Sequence, residues 1–110
     1  MTEMDERSRR IGLNEALARD VNERIESLAS EEKGHIEVLC ECGTANCTQQ
    51  LPVSLLEYER VREDATLFLV VPGHEAPDVE DVVESFDQFD VVRKRDGAAA
   101  RVAEATDPRS

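Results

Sequence analysis

Cys40, Cys42 and Cys47 fall together in the stretch CECGTANC, and the 110-residue chain holds no other cysteine. Thiolates joined by one histidine are a common tetrahedral set for zinc, with ligand distances of about 2.0 to 2.3 Å. If HIEVLCEC at 35 to 42 is a strand, alternation puts Ile36, Val38, Cys40 and Cys42 on one face and His35, Glu37 and Glu41 on the other. The turn composition of GTAN then brings Cys47 back opposite the first two thiols. A fourth ligand must come from one of two histidines. A regular strand aims His35 away from the thiols. His74 follows the Pro72-Gly73 break in PGHE and can reach across if the preceding strand neighbours the cysteine hairpin. The expected site is therefore a structural zinc held by Cys40, Cys42, Cys47 and His74.

The spacing C-x-C followed by C-x4-C is less diagnostic than paired C-x2-C knuckles. The same thiols can also be read as reactive or disulfide-forming groups, or as inert core residues. Glu41, Thr44 and Asn46 make the turn polar and accessible, which favours a redox-responsive zinc-thiolate switch. Against it, no Lys or Arg lies between His35 and Arg60 to lower a thiol pKa. A metalloenzyme needs an open coordination position, and four protein ligands leave none. Glu41 and Glu75 flank the ligands, but in so acidic a chain solvated glutamates are expected beside any site. The zinc-deaminase pattern, a phosphate-cradling glycine loop and a Ser-His-Asp set are all missing. No catalytic residue is assigned.

Positions 1–11 lack a period and read as a disordered tail. Leu13, Leu17, Val21, Ile25 and Leu28 then mark an amphipathic helix, capped near Asn14 and ended by Ser30 through Gly34. Such a stripe usually lies on the protein's own sheet; pairing with a second copy, a homodimer, is the alternative. Ser54 with Glu57 predicts a capping box for a short helix from Leu55 to Glu63. TLFLVV reads as a strand buried on both faces and 96–110 as a flexible tail; in 79–95 Val79, Val82, Val83 and Phe86 would suit a helix, while β-branched density and the break at Asp87-Gln88 favour a hairpin. The fold class is α+β: an N-terminal helix, a small antiparallel sheet bearing the cysteine hairpin and one short helix, in a single domain over 12–95.

A formal charge of −12, with 25 acidic against 13 basic side chains, repels phosphate backbones and excludes nucleic acid as a partner. The one dense basic run, Arg93-Lys94-Arg95, lacks interleaved aromatics and reads as a solvated strand end. The acidic excess suits a basic protein partner. No segment reaches the ~18 apolar residues needed to span a bilayer. An odd cysteine count fits reduced thiols better than a disulfide framework, so a cytoplasmic location is expected. The function that follows is a small zinc-binding module for binding or regulation.

NEALARDVNERIE, CECGTANC, YERVR and FLVVPGHE occur in this order. In this the chain resembles a group of small proteins of actinobacterial type that carry similar stretches, over most of positions 13–95. The resemblance implies that Cys40, Cys42, Cys47 and His74 belong to one motif set. It implies no catalytic residue, substrate or partner.

Overall fold

The computed structural model describes residues 3–29 and 34–109. The elements run α1 (Glu3–Ser27), β1 (His35–Leu39), β2 (Gln50–Ser54), α2 (Leu55–Arg62), β3 (Leu67–Val70), β4 (Glu80–Ser85), β5 (Asp90–Lys94) and α3 (Ala98–Ala105). The class is α+β, with one antiparallel sheet of β1 and β2 and another in the order β3-β5-β4. There are two short helices instead of the expected one.

The apolar run of β3 is buried throughout because its residues alternate between two clusters. Leu67 and Leu69 pack with Ile36, Val38 and Tyr58. Phe68 and Val70 pack with Cys40, Cys42 and Val92. Residues 79–95 form the expected hairpin, and the Phe86 N–H donates to the Phe89 carbonyl at 2.9 Å across the turn at Asp87-Gln88. Ser54 caps α2, its hydroxyl accepting from the Glu57 N–H at 3.0 Å. The box is only half made, since the Glu57 carboxylate turns to Arg60 instead of back to the cap.

Both expected tails contain helix. α1 starts at Glu3 and runs without a break past Asn14, which is therefore no cap; its side-chain amide donates to the Gly43 carbonyl at 2.8 Å. Helix α1 ends at Ser27, and of the stop expected at Ser30 through Gly34 residues 30–33 lie outside the described residues. α3 packs along α1 through Ala99, Ala100 and Ala103, all buried. Small residues permit the approach: a Cβ on Gly12 would stand 3.1 Å from the Ala99 Cα. Ala-rich chemistry, weak as a sequence signal for a buried helix, is what this crossing requires.

The orientation of α1 reverses the expectation for four of the five stripe residues; Ile25 alone, half-buried, packs against the first cluster. Leu13, Leu17, Val21 and Leu28 are 45%, 66%, 45% and 82% exposed, while Glu15, Arg19 and Asn22 are buried. At about 100° per residue the two sets lie on roughly opposite sides of the helix. The buried polar face persists because partners meet it. Glu15 pairs with Lys94, which also binds Glu80. Arg19 donates to the Ala65 and Ala103 carbonyls, both at 2.9 Å, and its guanidinium lies 5.0 Å from the Phe68 ring centre. Asn22 donates to the Leu39 carbonyl and accepts from the Leu39 N–H, at 2.9 and 2.8 Å. Lys94, expected in solvent, is thus interior, while Arg93 and Arg95 are exposed. Among the described residues no helix is long and apolar enough to cross a membrane.

Candidate metal centre

Strand β1 ends at Leu39, fastened on both its backbone groups by Asn22. Beyond it the chain leaves the register that holds Ile36 and Val38, so Cys40 and Cys42 join the second cluster, not the one those residues occupy. This corrects the expectation that the thiols point where Ile36 and Val38 point. The Cys40 N–H still pairs with the Gln49 carbonyl at 2.8 Å, and the Glu41 N–H with the Leu69 carbonyl at 2.7 Å, which brings the hairpin against β3. Cys47 sits in a turn closed by its N–H on the Thr44 carbonyl at 3.2 Å.

Glu41, between the two thiols, is fully buried and not solvated as expected. Its carboxylate accepts from Arg62 at 2.8 and 2.7 Å, from Asn22 at 2.7 Å and from the Leu69 N–H at 2.9 Å. Four donors satisfy the charge and fix the segment that presents Cys40 and Cys42. Nothing in local spacing marks Glu41 as different from the exposed Glu37; the one hint is that the cysteines on either side need an anchor. Glu75 is half-buried, and its Oε1 has no hydrogen-bond partner among the described residues.

His74 arrives through a tight turn over Val71–His74, closed by the His74 N–H on the Val71 carbonyl at 2.9 Å. Pro72 at the second position and Gly73 at the third, with φ +90°, match what a type II turn demands. Because β3 lies beside the cysteine segment, the turn places the His74 Nδ1 3.6 Å from the Cys40 Sγ and 3.7 Å from the Cys47 Sγ.

Ligand atoms of Cys40, Cys42, Cys47 and His74 all lie within 4.8 Å of one another. A tetrahedron with ligand distances of about 2.0 to 2.3 Å has edges of roughly 3.3 to 3.8 Å, which the two thiol–imidazole distances match. The group could hold a metal ion. All four expected ligands are brought together, while His35 is exposed at the far end of β1 and is not among them.

Electrostatics of the pocket fit a cation. A hydrogen bond from the Cys40 thiol, with support from the Thr44 backbone and His74, pushes the Cys42 thiol down to about 4. The same bond and burial push the Cys40 thiol up. One thiolate, that of Cys42, is thus stabilised by its neighbours. The Val71 N–H also donates to the Cys40 sulfur at 3.2 Å. In comparisons with family models, curated proteins and solved structures, nothing matches this chain.

Proposed function

We propose that this chain is a small cytoplasmic binding or regulatory module whose fold is stabilised by one structural zinc ion on Cys40, Cys42, Cys47 and His74. The observation that carries the reading is the convergence of three sulfurs and one imidazole nitrogen within 4.8 Å. Sulfur and nitrogen donors with no carboxylate among them suit zinc over the hard cations that prefer oxygen. Four protein ligands close the coordination sphere, so the ion's role is to join the cysteine segment to the turn after β3. The −12 charge favours a basic protein as partner.

The test is metal analysis of protein purified without a histidine tag, with a pull-down from its own cytoplasm. About one zinc per chain is expected, lost in Cys42→Ser and Cys47→Ser, and its binding energy is also folding energy. Chelation should lower Tm by more than the ~4–8 °C that 1 kcal/mol is worth in a domain this size. Stoichiometric metal in both variants, or a melt indifferent to chelator, would reject the site.

The half-exposed Cys47 favours a second reading, a redox-responsive zinc-thiolate switch. In it, hydrogen peroxide takes two electrons from Cys47 and one other thiolate, the O–O bond breaks as the S–S bond forms, two protons from solvent convert the oxygens to two waters, and zinc leaves. Fast, thiol-reversible zinc release at low peroxide would promote this reading over the structural one.

A further inference from the structure

We infer that α1 is the contact surface of a homodimer, in which a second copy of this chain lays its own α1 antiparallel across the exposed stripe. Glu6, Arg10, Leu13, Leu17, Asp20 and Arg24 are all exposed, and they succeed one another at alternating steps of four and three, the spacing of a helix-pairing seam. None of the four charged residues is in an ion pair among the described residues.

The order of charges decides orientation and partner. Place the Leu13 of one copy against the second copy's Leu17, with the helices antiparallel. Arg10 then meets the second copy's Asp20, and Glu6 its Arg24, and the two-fold axis repeats both pairs. Parallel pairing would set Arg10 on Arg10, Asp20 on Asp20 and Arg24 on Arg24, a like-charge conflict at every charged step. Opposite charges at the flanks of an apolar contact contribute little affinity, but they select register and direction. An isologous face of this kind is what two-fold symmetry requires.

Two further features fit a second copy. The chain carries −12 overall, yet among the described side chains the outer face of α1 holds Arg9, Arg10 and Arg24 against Glu6 and Asp20, so two acidic molecules repel least where these faces meet. Beside the stripe, Leu17 and Val21 form one wall of a groove of about 190 Å³ whose other wall is Leu39, Ala45 and the cysteine turn. A leucine projecting from the second helix has a recess to enter there.

Sedimentation equilibrium of the full chain, metal included, tests this. The wild type should show the mass of two 12.3-kDa chains at roughly 100 µM. Leu17→Glu should show the mass of one, with unchanged far-UV circular dichroism because Leu17 is on the surface. Arg10→Asp sets acid against Asp20 twice and should weaken association by at least about tenfold. The Arg10→Asp/Asp20→Arg double variant restores both pairs and should return to within about threefold of wild type. A wild type at single-chain mass, or a dimer that Leu17→Glu leaves intact, would overturn the proposal. A double variant no tighter than Arg10→Asp would overturn the antiparallel seam even if Leu17→Glu misfolds.

Discussion

Glu41 and Arg62 face each other in a two-armed ion pair at 2.7 and 2.8 Å, with side chains 0% and 2% exposed, directly beneath the cysteine segment. The arginine is oriented from two sides, its guanidinium lying 5.1 Å from the Tyr58 ring centre and 5.8 Å from that of Phe68. The pair ties α2 to the backbone between Cys40 and Cys42, so the Cys3His group rests on an interior salt bridge.

Removing one partner should therefore be far more costly than removing both. Glu41→Leu leaves an uncompensated guanidinium and should destabilise by about 3–5 kcal/mol, whereas Glu41→Leu with Arg62→Met replaces the pair by apolar groups and should recover most of that loss. Urea unfolding of the three proteins checks this, and equal losses in the single and double variants would count against it.

The two histidines should behave differently toward metal. His74→Ala removes a donor and should weaken zinc binding by more than the roughly 10–100-fold lost when a group that only supports ligands is removed. His35→Ala should leave affinity unchanged, as the side chain is exposed outside the four-residue group. Competition with a chromophoric chelator measures both.

Burial pushes the Glu15 carboxyl up to about 9, against the lowering effect of Lys94 and with Glu80 adding to the rise. Because the folded pKa exceeds the unfolded value of 4.5, the native state binds more protons between these limits. The Glu15 contribution to stability is therefore fully present below about pH 4.5 and is lost as pH rises toward 9. Thermal melts of wild type and Glu15→Gln, which cannot ionise, isolate this contribution: the Tm of wild type relative to the variant should fall as pH rises across this range.

Gly43, just after Cys42, touches α1 so closely that a Cβ there would stand 2.4 Å from the Ile11 Cγ2. Gly43→Ala should cost about 1–3 kcal/mol, as overpacking does. Ile11→Ala in the same chain makes room, so the double variant should be more stable than the sum of the two single losses. Strict additivity in chemical denaturation would show that the contact is not the cause.

The chemistry of the site was readable from residue types and local order. Three thiols within one turn of chain, and a histidine released by Pro72-Gly73 at the end of an apolar run, are features whose meaning depends on a few neighbouring bonds. The Ser54 cap and the buried β3 are of the same kind. In each, backbone stereochemistry or strict alternation acts over a short span. The pattern of 79–95, by contrast, suited a helix as well as a hairpin, and the pairing of β4 with β5 decided it.

What the sequence could not decide is which side of a helix is covered. The repeat of Leu13, Leu17, Val21 and Leu28 determines that these residues share a face, and nothing more; periodicity is unchanged when the helix is turned over. Tertiary structure turned it, because Lys94, the Ala103 carbonyl and the open backbone of Leu39 offer partners to Glu15, Arg19 and Asn22 that lie up to 84 positions away in the chain. Burial of Glu41 and Lys94, and the docking of α3 on Gly12, belong to the same class. A charge in the interior is stable only when its partner arrives, and that arrival is a property of the assembled fold.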